Sequence, residues 1–165
     1  MSGCSTPGLK LDVPYVSTPQ SVVEAMLQLA QVRAGDVVYD LGCGDGRIVI
    51  TAARDFGATG VGIDIDPRRI EEADAMARFA GVSDRVRFAV QDLFKTDFSE
   101  ATVLALYLVP ELNAKLLPKF RAELKPGTRV VSHQYRIGDW APVRSETAWS
   151  GSTDHQIYLW VVPPL

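Results

Sequence analysis

The stretch Val37-Val38-Tyr39-Asp40-Leu41-Gly42-Cys43-Gly44-Asp45-Gly46-Arg47-Ile48 constrains the fold of this chain more than any other. A short β-branched apolar run reads as a buried strand. Three glycines follow within five positions, and the chain then resumes at helical period from Arg47 to Phe56. A strand, a glycine loop and a helix in that order let a backbone pass close to a ligand, because Cβ atoms would stand in the way. The start of the helix adds free N–H groups and the positive end of its dipole. The spacing also discriminates. A dinucleotide fingerprint needs G-x-G-x-x-G. Here the third glycine comes one residue early, at Gly46, and Arg47 occupies the expected position. That opposes a pyrophosphate site and favours a cofactor without phosphates.

The rest of the chain extends this unit. Residues 1–16, rich in Pro, Gly, Ser and Thr, read as a flexible arm, and 17–165 as a single domain. Ser2-Gly3-Cys4 has the look of a lipoprotein cleavage tail without its apolar stretch, and a disordered start is the expectation. Thr18-Pro19 should open a helix, with Thr as N-cap and Pro in the first turn. Strands are expected at 37–41, 59–63, 86–90, 103–106 and 129–132. A helix over 47–56, a helix capped by Asp66-Pro67 and ended by Gly81, and one carrying Leu112, Leu116, Leu117 and Phe120 alternate with them. Two last strands, 145–149 and 157–162, are joined by a Gly-Ser-Thr-Asp turn with no room for a helix. The expected fold is therefore α/β, Rossmann-like and doubly wound. Its sheet is mostly parallel, with helices on both faces and an antiparallel C-terminal hairpin.

Composition excludes some partners. The 165 residues suit one domain able to bury a core without disulfides or metals. A net charge of −3 offers no basic stripe, so no nucleic acid is expected. No apolar run reaches spanning length, so no transmembrane segment is expected. Cys4 and Cys43 do not suit a disulfide, which fits a reducing, cytoplasmic setting. The two histidines and two cysteines show no metal-ligand spacing.

Two further signals lie in register with the glycine loop. Asp64 ends the second strand, roughly 20 residues on, where a carboxylate can accept from ribose hydroxyls. It could instead cap the next helix, but Asp66 precedes Pro67 directly and suits the cap better, which leaves Asp64 for a ligand. Gln91-Asp92-Leu93 follows the third strand and faces the same crevice. Asp92 alone would be an ordinary loop aspartate.

These three signals resemble the class I S-adenosylmethionine-dependent methyltransferases, whose sheet has seven strands and a reversed last hairpin. The resemblance implies that Asp40, Gly42, Gly44 and Gly46 shape the pocket for the methionine half of S-adenosyl-L-methionine. It implies that Asp64 binds the ribose beside Ile65, and that Asp92 binds the adenine amine with Leu93 packed nearby. A narrower resemblance runs through VPYVSTPQSVVEAML, LFKTDFSEATVLALYLVPELN and LKPGTRVVSHQY. Those strings are similar to a compact group that includes ATP synthase c-subunit lysine N-methyltransferases. It implies an amine acceptor, a protein lysine or a small molecule, and leaves the oligomeric state open.

The acceptor side should lie at the carboxyl ends of the fourth and fifth strands. Tyr107, Glu111 and His133 are the candidates there, and this chain lacks the polar residue of an Asn-Pro-Pro-Tyr motif. His133 reads equally well as a base or as a structural residue, and His155 as surface. Tyr15, Tyr107, Tyr135 and Trp140 can supply an aromatic wall for a methylated ammonium, Tyr15 and Tyr107 foremost, though most would otherwise be core. Residues 13–18 should close over the cofactor as a lid that brings Tyr15 in. The rival readings are a nicotinamide oxidoreductase, which the Gly46 spacing opposes, a non-catalytic cofactor- or protein-binding module, and an O- or C-methyltransferase.

Overall fold

The computed structural model describes residues 16–164. Its elements are α1 Gln20–Leu29, β1 Val37–Leu41, α2 Arg47–Phe56, β2 Thr59–Asp64, α3 Pro67–Ala80, β3 Val86–Val90, β4 Val103–Leu106, α4 Pro110–Glu123, β5 Arg129–His133, β6 Arg144–Ser150 and β7 Thr153–Val161. One seven-stranded sheet takes the order β3-β2-β1-β4-β5-β7-β6. β1 to β5 pair in parallel, while β7 runs antiparallel between β5 and β6. The order turns back at β1 and β4, so their carboxyl ends flank the crevice where ligands bind in open α/β sheets.

Alternation along each strand feeds two cores. Val38 packs with α1 and α2, whereas Tyr39 and Leu41 pack on the opposite face with Leu112, Leu116, Leu117 and Phe120 of α4. α3 joins α2 through Ala77, Ile50 and Ala53. Helices are thus unevenly shared, three on one face and α4 on the other. The β3–β4 connection holds only a 3-10 turn at Leu93–Lys95, and residues 134–143 carry no helix. A buried leucine or phenylalanine contributes about 1.5–3 kcal/mol, and 16 buried residues share the α4-side core.

Close packing explains two glycines. A Cβ on Gly46 would lie 2.7 Å from Phe88 Cζ, and one on Gly62 would lie 2.7 Å from Phe88 Cδ1. Phe88 therefore fills the space under the loop, and larger residues at either position would push the loop off β2.

The structure alters three expectations. Helix α1 starts at Gln20 with Pro19 as its N-cap residue and no side-chain cap, because the Thr18 hydroxyl bonds elsewhere. The final hairpin turns in two residues, Gly151 and Ser152, and β7 begins at Thr153, four residues before the expected start. β7 runs on past its last pair with β5, His133↔Ile157. Its first residues therefore lack the buried pattern that marks a strand. Among the described residues no helix is long and apolar enough to cross a membrane.

At the amino ends of the strands, buried Asp36 accepts from Thr102 Oγ1 at 2.8 Å, from the Arg33 amide at 2.9 Å, and from the Arg129 guanidinium. Burial pushes its pKa up, but the Thr102 and Arg129 hydrogen bonds outweigh this and hold it below the usual carboxylate value. This clip ties β1, β4 and β5 together at the end remote from the crevice.

Candidate active site

The glycine loop is built on three left-handed residues, Gly42 (φ 77°), Gly44 (φ 55°) and Gly46 (φ 80°). Side chains resist that conformation, which is why the positions are glycine. The amides of Gly42 and Cys43 both donate to Ile63 O at 2.8 Å, so β2 fixes the loop. Asp64 then pins it from the side. Its Oδ2 accepts from the Gly44 amide at 3.1 Å and its Oδ1 from the Asp66 amide at 2.9 Å. Asp64 thus clamps the loop with one amide on each oxygen, which leaves further lone pairs of its carboxylate for a ligand. Asp66 caps α3 by accepting from the Arg68 amide at 3.0 Å.

A pocket opens above this loop. Asp40, Gly42, Cys43, Gly44, Asp45 and Arg47 form its base, and Tyr107 with residues 16–18 forms its wall. Of the residues expected at the site, Asp40, Gly42, Gly44 and Tyr107 line it. Gly46 starts α2 beneath it. Ile65 is half-buried at the end of β2 and lies outside the lining. Asp92 follows β3, where Gln91 N donates to Asp64 O at 3.1 Å, and its Oδ1 caps the 3-10 turn through the Phe94 amide at 2.9 Å. Leu93 packs against the α4-side core. Glu111 is exposed on the first turn of α4, outside the lining. Tyr15 lies outside the described residues, and of the expected lid only residues 16–18 are described.

Three carboxylates share this small volume, and each meets a different fate. Asp45 is half-buried, but Arg47 donates to it at 3.0 Å and 2.6 Å. Burial raises the Asp45 pKa, and the Arg47 bonds and charge outweigh it, leaving a net lowering. Asp64 holds two backbone amides. Asp40 is 3% exposed and, among the described residues, has no hydrogen-bond partner for its carboxylate. Burial first, then Asp64 and Asp45, push its pKa up to about 8. Burial, with Asp40 and Asp64, also drives the Cys43 thiol far up, so it is an inert part of the loop.

The wall beside Tyr107 is aromatic. Tyr107 packs on His133 with ring centroids 3.9 Å apart and tilted by 34°, and lies near-parallel to Tyr135 at 6.1 Å. Trp140 departs from this group and packs on Trp160 in the α4-side core. His133 is fully buried and is not a lining residue. Its Nδ1 bonds Thr18 Oγ1 at 3.0 Å, and its Nε2 bonds His155 Nδ1 at 2.8 Å. Burial, then the neighbouring His155, hold its pKa down at about 4. Both nitrogens are thus occupied behind Tyr107, and His155 is half-buried in a network rather than a bare surface residue.

Sequence reasoning did not single out Thr18, Arg47, His155 or Gln134 as site residues. Arg47 Nη1 donates to Thr18 O at 3.0 Å and so holds the segment before α1 onto the loop. Gln134 sits at φ 72° in a tight turn closed by Tyr135 N donating to His133 O at 2.9 Å. A left-handed conformation at a non-glycine residue is strained, and here the turn follows directly on His133. The off-pattern position of Arg47 was a visible signal, whereas nothing in the sequence marked the others.

Comparison with known proteins gives a consistent picture. The model of the ANTKMT methyltransferase domain matches residues 40–144. The chain is 48% identical to a protein-lysine N-methyltransferase of Saccharolobus islandicus, covering 91% of this chain and 94% of that protein. It is 35% identical to the ATP synthase c-subunit lysine N-methyltransferase of Xenopus laevis, covering 81% of this chain but 58% of that longer protein. Among solved structures it is similar to an RNA methyltransferase from Salinibacter ruber in complex with S-adenosyl-L-homocysteine. That structure has a TM-score of 0.84 and 52% identity, with 90% of this chain and 94% of that one covered.

Proposed function

The chain belongs to the ANTKMT methyltransferase domain family and is an S-adenosylmethionine-dependent methyltransferase, and on that premise we propose that it methylates lysine side chains of protein substrates. The observation that carries the reading is the pocket that sets Asp40, a buried carboxylate without a hydrogen-bond partner among the described residues, opposite the aromatic wall of Tyr107. A buried carboxylate is costly unless a cation or hydrogen bond meets it. The amino end of a methionine moiety is such a cation, so the residues fit the cofactor.

The cofactor supplies an electrophilic methyl group on a sulfonium. The chain's residues do the rest by binding and alignment. In this reading Asp40 takes the amino end and the glycine loop with Arg47 takes the carboxylate end. Asp64 exchanges one of its backbone partners for the ribose hydroxyls, next to Ile65. Asp92 and Leu93 receive the adenine. Residues 16–18, held onto the loop by Arg47, close one side of the pocket. Tyr107 presents its ring to the acceptor, and a ring favours an ammonium, methylated or not, by about 0.5–2 kcal/mol. Glu111, exposed in the first turn of α4, is placed to attract a cationic substrate from solution.

The second reading is an RNA acceptor, which the name of the Salinibacter relative raises. Charge favours protein. The chain carries 20 Asp and Glu against 17 Lys and Arg, whereas phosphate contacts need clustered cations. A labelled-methyl assay on a lysate, split into protease-treated and ribonuclease-treated arms, tests this. Label in protein, located on lysine by mass spectrometry, is the expected result. Label that survives protease and disappears with ribonuclease would replace lysine by RNA.

A further inference from the structure

Two histidines and a threonine form a continuous line that the methyl-transfer site as described does not use. Thr18 lines the pocket beside Tyr107. Its hydroxyl meets His133 Nδ1 at 3.0 Å, and His133 Nε2 meets His155 Nδ1 at 2.8 Å. Thr18 and His133 are buried, while His155 on β7 is half-buried and reaches toward solvent. Resting on the amine-acceptor reading, we propose that Thr18, His133 and His155 form the exit line for the proton that the substrate ammonium must lose before methyl transfer.

The chemistry closes on these atoms. With the Thr18 hydroxyl donating to His133 Nδ1 and His133 Nε2–H donating to His155 Nδ1, every link holds one proton. The substrate ammonium passes a proton to Thr18 Oγ1 as the hydroxyl proton moves to His133 Nδ1. In the same concerted passage the Nε2 proton of His133 moves to His155 Nδ1 and His155 Nε2 releases its proton to water, so no imidazolium forms at His133. The amine keeps its lone pair for the methyl carbon, and no charge is stored in the protein. Neutral imidazoles are required for this. Besides His155, His133 faces Tyr107 after β4, whose ring meets Tyr135 in turn, while Arg47 of α2 holds the Thr18 carbonyl. Burial and the His155 neighbour keep His133 neutral at ordinary pH. The step is a proton relay of the kind histidine serves in enzymes, and the three residues position and pass a proton without touching the methyl group.

The test uses the full chain, a lysine-containing protein substrate and the variants His155→Phe and Thr18→Val, with Thr18→Ser as the restoring change. The turnover rate at saturating substrate is followed from pH 7 to pH 10, and S-adenosylhomocysteine affinity is measured by calorimetry. Both variants should lose about 10- to 100-fold in turnover at pH 7.5, with cofactor affinity held within about threefold. The defect should shrink as pH approaches the lysine value of about 10.4, because an amine already neutral in solution needs no exit line. Thr18→Ser should recover most of the rate that Thr18→Val loses. A rate unchanged in both variants, or a defect of constant size across pH, would overturn the relay while methylated lysine stands as the product. Wild-type product carrying no methyl on nitrogen would overturn the relay together with the reading it rests on.

Discussion

Binding of a cofactor amino end at Asp40 should expel a proton. The carboxylate has a pKa of about 8 in the ligand-free protein, so about nine-tenths of it is protonated at pH 7. A cationic ammonium beside it favours the charged form and drives the proton out. Calorimetric titration with S-adenosylhomocysteine, in buffers of low and high ionisation enthalpy at pH 7, should show about 0.9 proton released per site. Affinity should rise close to tenfold per pH unit below about pH 8 and level off above it. Asp40→Asn keeps the shape, removes the titration and loses a charge-assisted bond worth about 1.5–3 kcal/mol. It should bind roughly 10- to 150-fold more weakly, with no buffer dependence. The same pKa sets the pH response of the ligand-free fold. A folded value raised above the unfolded 3.8 gives stability present at low pH and lost as pH rises through about 8. Wild-type protein that releases under about 0.3 proton, or an Asp40→Asn variant that releases as many as wild type, would refute this account of Asp40.

Asp64→Ala should weaken cofactor binding about ten- to a thousandfold by calorimetry, because one or two charge-assisted bonds disappear and the Gly44 and Asp66 amides lose their acceptor. Circular dichroism should show the fold retained, and unchanged affinity would remove Asp64 from the site. Tyr107→Phe should keep turnover and Tyr107→Ala lose it if the ring face is what meets the acceptor, whereas failure of both would assign the role to the hydroxyl. Arg129→Met leaves Asp36 buried without its cation and should cost about 3–5 kcal/mol in urea unfolding. In wild type the Asp36 contribution is present above the unfolded carboxylate value and lost as pH falls through its lowered folded value, so this clip should weaken in acid.

Most of the framework was legible because local and tertiary signals agreed. β1, α2, β3 and β4 begin and end where apolar runs meet glycine, proline and aspartate. The fate of Thr18 was not legible. Its intrinsic preference is to cap a helix, and the structure spends its hydroxyl on His133, 115 positions away. Residues 153 and 154 read as part of the turn, and 155 and 156 fall outside the expected strand, for a related reason. Polar Thr153, Asp154, His155 and Gln156 belong to a strand that outruns β5, so no buried face writes an alternating pattern into them. His155 reads as a surface residue with them. In the site itself, acidic residues at the strand ends were visible as carboxylates near a ligand. Which of them was already satisfied depended on backbone amides of Gly44, Asp66 and Phe94, and those positions come only from the folded loops.

That distribution of partners reads as a specification for the ligand. Asp40, Asp45 and Asp64 crowd one loop, and like charges at that range oppose each other's ionisation. Arg47 neutralises Asp45, and two amides hold Asp64. The cost collects on Asp40, the most buried of the three, at the end of β1 under the pocket. A loop selected for stability alone would place an apolar residue there, since this acid gives up its charge to stay buried until a partner arrives. The sequence keeps an acid where it is least comfortable, and strain of this kind belongs to sites that a ligand relieves. One unpaired buried carboxylate calls for one cation, and its depth calls for a cation that enters the loop rather than one that passes its mouth. In the proposed reading the substrate ammonium meets ring faces at the Tyr107 wall instead. On that reading the two cations of the reaction are sorted by chemistry, the cofactor's to a buried acid and the substrate's to an aromatic surface.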